Sequence, residues 1–265
     1  MDIKAEISKI TDAYKASMNR TYNVLVYGDT GTGKTKLIST CRRPILVHSF
    51  DPGGTLTIRR EIEEGWIVAD TRWEAEDSKQ SPKWDAWEAE YFRLKREGAF
   101  NMFATFAIDS LTTLGQLAMN KVLKAAGRPG GVPFQQDYLP QMTMLENVIR
   151  DVLSLPCDVI VTAHPDSEKD EATGRLFIGP MVTGKLKVRL PLLFTEIYAT
   201  ISKQTSYGTE YSLLTRSTGL HKARTRVGTS IFDMYEKPDI KYLLKKAGLN
   251  SEDKPIPWLE GDSRK

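Results

Sequence analysis

Residues 28–35 read Gly28-Asp29-Thr30-Gly31-Thr32-Gly33-Lys34-Thr35, the pattern G-x-x-x-x-G-K-[ST]. This octet constrains the fold more than any other part of the chain. Such a loop works between a buried strand and the first turn of a helix, where successive backbone N–H groups turn inward around an anion. Side chains at the glycines would obstruct that turn. The flanks agree. Tyr22 to Tyr27 is a short β-rich run, and Lys36 to Thr40 can begin a helix. The helix N-terminus adds a favourable field for negative charge. The octet as a whole is the expected cradle for phosphate groups, with Lys34 reaching the β- and γ-phosphates and Thr35 giving its hydroxyl to Mg²⁺.

Composition sets wide limits. The 265 residues are 40% hydrophobic, enough for one large domain with its own core. A net charge of +3 does not by itself announce a nucleic-acid binder. Cys41 and Cys157 lie far apart, without metal-ligand spacing, and read as small core residues in a reducing compartment. No apolar run approaches the roughly 20 residues of a membrane span, and the charged N-terminus has no signal-peptide core. The expected location is the cytoplasm, with no membrane partner.

Three regions are expected: an N-terminal amphipathic helix within 1–20, one nucleotide-binding domain over 21–250, and a polar, loosely held tail over 251–265. Ile3, Ile7, Ile10, Tyr14 and Met18 recur at helical spacing. Packing on its own domain is preferred for this helix; contact with a neighbouring subunit is the sharper alternative. Apolar strands are expected at 44–51, 66–70, 103–110 and 157–164. Helices are expected at 84–96, where Trp84, Trp87, Tyr91 and Leu94 should pack in the core, and at 111–125 and 138–155. Strand–helix alternation of this kind predicts a mostly parallel sheet with right-handed crossovers and helices on both faces. The C-terminal third changes character. Runs at 196–201 and 210–215 read as an antiparallel hairpin, a further strand is expected near 220–223, and a last helix at 239–247 stops at Gly248.

In an open α/β sheet, ligands bind beyond the carboxyl ends of the strands. Asp109 ends the run Phe103 to Ile108 and is the expected acid of the Mg²⁺ shell. Asp51 ends the second run. It can orient or deprotonate an attacking water, or simply cap the turn at Pro52-Gly53-Gly54; Asp70 and Glu63 are weaker rivals for the base. His164 ends another buried strand, where it can sense the γ-phosphate and pass that state to the following segment. Residues 165–184 contain Gly174, Gly179, Pro180 and Gly184 and read as a mobile loop. An acidic first part, with Asp166, Glu168, Asp170 and Glu171, gives way to Arg175, Phe177, Lys185, Lys187 and Arg189. These last five are the candidate contacts to single-stranded DNA, cations for phosphates and Phe177 for a base. The cluster His221-Lys222-Ala223-Arg224-Thr225-Arg226 is either a solvated strand end or a source of cations, Lys222 and Arg224, for a neighbour's nucleotide.

Taken together, Val26 to Thr35, Ser49 to Gly54, Ile108 to Leu111, Val161 to His164 and Lys222 to Arg224 resemble a RecA-type core. They are most similar to small phage-encoded P-loop proteins of the AAA-like nucleotide-binding group, the single-strand-annealing or recombination ATPases. The resemblance runs from about Tyr22 to Gly248. It implies an α/β RecA-type P-loop fold with an antiparallel extension, Mg²⁺-dependent ATP hydrolysis between subunits of a ring or filament, and single-stranded DNA binding for recombination or annealing. It also implies Lys222 and Arg224 acting in trans, and a phage single-strand-binding protein as a further partner. There is one departure: RecA carries a second acid two residues after the first, and here that place is Gly53. The alternatives are a helicase- or replication-associated motor or loader, and a nucleotide-gated interaction module with little turnover; a small-molecule kinase is weaker.

Overall fold

Short apolar runs rich in β-branched residues and bounded by turns become strands buried on both faces. The computed structural model describes residues 3–18, 21–74, 79, 83–169, 171 and 173–259. In chain order the elements are α1 (Ile3–Met18), β1 (Asn23–Tyr27), α2 (Lys34–Ile38), β2 (Ile45–Ser49), α3 (Arg59–Glu63), β3 (Ile67–Asp70), α4 (Lys83–Arg96), β4 (Thr105–Asp109), α5 (Leu111–Ala125), α6 (Tyr138–Val152), β5 (Asp158–Ala163), β6 (Pro165–Lys169), β7 (Leu176–Pro180), α7 (Leu186–Arg189), β8 (Glu196–Thr205), β9 (Gly208–Leu214), β10 (Tyr235–Glu236) and α8 (Ile240–Lys246).

The main sheet runs β10-β9-β8-β1-β5-β4-β2-β3. From β8 to β3 every neighbouring pair is parallel; β8–β9 and β9–β10 are antiparallel. The expected α/β class, a mostly parallel sheet with an antiparallel extension, is what forms. Strand periodicity divides the core into two layers. Leu25 and Tyr27 of β1, Phe106 and Ile108 of β4, and Val159 and Val161 of β5 face α4, α5 and α6. Val24 and Val26, Ala107 and Ile160 face α2 and α8. The Trp84–Trp87–Tyr91 stripe of α4 is fully buried, as its spacing predicted. His48 of β2 is enclosed with it. It accepts from Trp87 Nε1 (3.0 Å) and stands edge-on to Phe106 (4.8 Å), and burial pushes its imidazole down to about 4.

Four expectations are corrected. The mobile loop after His164 is a two-stranded hairpin, β6–β7, registered from Pro165↔Pro180 to Lys169↔Leu176; cross-strand pairing orders it, and Gly174 serves its tip with φ +69°. Asp170 lies outside the described residues. No strand forms at 220–223. That segment crosses from β7 to β8, touching each through a single bridge, His221 to Ile178 and Arg224 to Ile197. The isoleucines of α1 do not pack on the domain: Ile3, Ile7 and Ile10 are 69%, 57% and 66% exposed. Both faces of the sheet are already covered by other helices. The side chains of Tyr14 and Met18 lie outside the described residues.

The tail, finally, is tied down as far as it is described. Lys254 N donates to Arg43 O (2.7 Å), Lys254 Nζ to Phe103 O (2.6 Å) and Trp258 Nε1 to Gly65 O (3.0 Å). Its polar groups find carbonyls at the amino ends of β2, β4 and β3, which a reading of polarity alone does not reveal. Residues 260–265 lie outside the described residues. Among the described residues no helix is long and apolar enough to cross a membrane.

Candidate functional site

Because the strands from β8 to β3 run parallel, their carboxyl ends open on one edge. Between β1 and α2, residues 28–35 form a tight cradle. Gly31 and Gly33 take left-handed φ of +79° and +91°, which an L side chain adopts only under strain. Gly28 is required for a different reason: a Cβ there would sit 2.1 Å from Thr200 Oγ1 of β8. The helix α2 starts at Lys34, two residues earlier than the sequence suggested.

Strand β5 lies between β1 and β4, so Asp109 and the octet are separated by one strand. Thr162 of that strand fills the gap and donates its hydroxyl to Asp109 Oδ1. Thr35 Oγ1 donates to Asp109 Oδ2 at 2.8 Å. Asp109 is 2% exposed. Burial pushes its carboxyl up, the hydroxyls of Thr162 and Thr35 pull it down, Asp51 raises it and Lys34 lowers it. Lys34 Nζ donates to the carbonyls of Gly28 (2.7 Å) and Asp29 (2.9 Å). Burial lowers its pKa against the pull of Asp109, Asp51 and Asp29.

Asp51 does not cap the turn with its side chain; the backbone does that, through Gly54 N to Asp51 O (3.0 Å). Its carboxylate is held instead by Ser110 Oγ (3.0 Å) and Thr113 Oγ1 on Oδ1, and lies 3.1 Å from His164 Nε2 on Oδ2. Of its rivals, Asp70 is engaged with Arg72 (2.6 Å), and Glu63 is exposed on α3 and outside the cleft lining. Lys34, Thr35, Asp51, Asp109 and His164 thus line one cleft of about 740 Å³, which the phosphate loop floors.

The donor set suits a nucleotide with a hard cation. The loop offers inward amides and a lysine, and Thr35 and Asp109 supply oxygen ligands of the kind Mg²⁺ takes alongside phosphate oxygens. Among the described residues no group of three or more His, Cys, Asp or Glu side chains is placed to hold a metal.

Residues 20–227 match the AAA domain family, AAA_24. The chain belongs to that family. Among solved structures, this AAA domain is similar to a KaiC-like protein of Pyrococcus horikoshii, at 12% identity and TM-score 0.42, over 74% of this chain and 79% of that one. It is also similar to the flagellar accessory protein FlaH of Methanocaldococcus jannaschii, at 10% identity and TM-score 0.42, over 81% and 83%. No curated protein matches it.

The remaining candidates of this AAA domain lie elsewhere. Lys222 and Arg224 are not in the cleft. Arg224 Nη2 donates to Pro191 O (2.9 Å) and Phe194 O (2.8 Å), so its guanidinium anchors its own chain instead of projecting toward a neighbour. Burial and the nearby Arg226 lower its pKa. Lys222 pairs with Glu168 (3.3 Å) and lies 5.4 Å from the Phe177 ring. Lys187 pairs with Asp166 (2.7 Å) and Arg189 with Glu146 (3.2 Å), while Arg175 and Lys185 are exposed. Sequence reasoning missed Tyr211 and Pro238, which wall the cleft beside Leu37 and Thr40. Tyr211 comes from β9, and only the pairing of β8 with β1 brings that hairpin beside Gly33.

Proposed function

We propose that this AAA domain binds ATP with Mg²⁺ and hydrolyses it slowly, and that its nucleotide state is passed to a single-stranded DNA contact on the β6–β7 hairpin. The observation that carries the reading is the convergence of Lys34, Thr35, Asp109, Asp51 and His164 on one cleft. The loop amides and Lys34 would hold the phosphates, and Thr35 and Asp109 would hold the cation. When bound, Mg²⁺ supplies charge neutralisation at the β- and γ-phosphates. Asp51 would orient the attacking water and receive its proton at Oδ2, beside His164 Nε2. Tyr211 and Pro238 would flank the base.

Coupling to the hairpin has a short path. His164 N donates to Thr112 Oγ1 of α5 (3.0 Å), and its carbonyl accepts from Met181 N (2.7 Å), so the residue beside Asp51, next to the first foot of the hairpin, is tied to α5 and to the second foot. Arg175 and Phe177 lie toward the tip. The exposed isoleucines of α1 support assembly with a second copy, as a ring or filament. The finger in trans is not carried forward for Arg224, which is bound within its own chain. The rival reading, a nucleotide-gated module with little turnover whose partner is a protein, is favoured by the ion pairs that occupy Lys187 and Lys222.

The test is the ATPase rate with and without single-stranded oligonucleotide, measured alongside assembly mass. DNA-stimulated turnover, with oligonucleotide binding that weakens as salt rises, supports the proposal. Nucleotide binding without turnover, and with no DNA effect, moves the protein to the rival reading.

A further inference from the structure

The start of α5 carries two hydroxyls, on Ser110 and Thr113, that both reach Asp51. Ser110 is the N-cap, its Oγ accepting from Thr113 N at 3.4 Å. A threonine within a helix commonly donates its own hydroxyl back to the carbonyl four residues earlier. For Thr113, in the first turn, the residue four back is Asp109, which precedes the N-cap and lies outside the helix; its carbonyl accepts from Phe50 N (2.6 Å) and Asp51 N (3.4 Å). Thr113 Oγ1 turns to Asp51 Oδ1 instead, beside Ser110 Oγ at 3.0 Å. One oxygen of Asp51 is therefore clamped by α5, and the other lies against His164 Nε2. The arrangement removes both soft rotations of a short side chain that sits at the end of a strand in a half-open cleft.

We propose that Thr113, assisted by Ser110, is a positioning residue that aims the Asp51 carboxylate at the attacking water. The inference rests on the reading of the cleft as an ATP-hydrolysing site. A hydroxyl that fixes one carboxylate oxygen leaves the other presented in one direction, and a misplacement of even an ångström at this point slows a step that depends on alignment. The side-chain hydroxyl of Thr113 lies beside Ser110 Oγ and bonds to Asp51, not to Thr35 or the Asp109 carboxylate, so its contribution belongs to turnover and not to nucleotide affinity.

The experiment compares Thr113→Val, which keeps the shape and removes the donor, with Thr113→Ser, which keeps the donor and removes the methyl. Steady-state ATP hydrolysis with Mg²⁺ is read beside titration with a fluorescent ATP analogue. Thr113→Val should lower kcat about 10- to 100-fold, with KM and analogue affinity within about twofold, and Thr113→Ser should recover most of the loss. In an Asp51→Asn background, Thr113→Val should add no further loss, because the group it aims is gone. Should the valine variant not fold, Thr113→Ala in the same pair of backgrounds reads the same coupling.

An unchanged kcat in an otherwise active protein overturns the proposal. So does a serine variant as slow as the valine, or additive losses in the double variant. A wild-type protein that binds the analogue and turns over no ATP overturns the underlying reading of the cleft, and Thr113 falls with it.

Discussion

At the carboxyl edge of the sheet, polar side chains from the ends of three strands, β5, β4 and β2, and from two helix starts point at one another. In the C-terminal third, charged side chains neutralise each other along the surface. The first region buries its groups: Asp109 is 2% and Lys34 8% exposed, and each has partners. Burying charges this way costs stability, and hydrogen bonds only partly offset it. The second region pairs Lys187 with Asp166 and Lys222 with Glu168, surface ion pairs that cost little and tolerate change, and ties Arg224 to main-chain carbonyls. The difference separates groups that are buried and share partners in one cleft from groups that pair on the surface.

The largest test of this contrast is Lys34→Ala. It should lower ATP turnover by about a thousandfold or more, as loss of a group stabilising phosphoryl charge does. Unchanged turnover would erase the distinction at its strongest point. Asp51→Asn should follow, with turnover down about a hundredfold and analogue binding retained. A loss of binding in place of turnover would recast Asp51 as a ligand of the nucleotide.

Acid stability probes the core beneath α4, where His48 packs against Trp87 and Phe106. His48 is fully buried and neutral in the fold, its pKa lowered from 6.5 to about 4, while the unfolded chain takes up the proton near 6.5. The unfolded state therefore binds more protons in between. Stability is fully present above 6.5 and lost as pH falls toward 4, by roughly 3 kcal/mol. Denaturant unfolding at pH 7.5, 5.5 and 4 should show this slope, and His48→Asn, which still accepts from Trp87, should flatten it. The smallest effect belongs to the second region. Arg224→Ala should cost about 1–2 kcal/mol in unfolding free energy through its two lost carbonyl contacts, with turnover following stability. A turnover loss at unchanged stability, rescued by mixing with Lys34→Ala subunits, would restore a trans role.

The two regions also differ in how far they could be read from residues alone. The octet, the apolar runs and their terminal acids are local signals: a strand buried on both faces must be apolar throughout, and whatever polar group ends it stands at the edge. Asp109, Asp51 and His164 were therefore placeable before any contact was known. What brings them together was not, because Thr162, Ser110 and Thr113 act through distances set by sheet order. The β6–β7 hairpin was misread because its strands carry charges and glycines; its order comes from pairing across the turn. The 220–223 segment meets its neighbours on either side through one bridge each. Tyr211 was invisible for the reason Thr200 was: both matter only once β8 lies against β1.

The strap at Lys254 and Trp258 has a bearing on manufacture. Arg43 O and Phe103 O, at the amino ends of strands translated early, wait for donors that leave the ribosome some 150 or more residues later. The sheet's lower rim is therefore sealed last. Fusions or truncations that disturb residues 250–259 should show themselves in yield and refolding before they show themselves at the cleft.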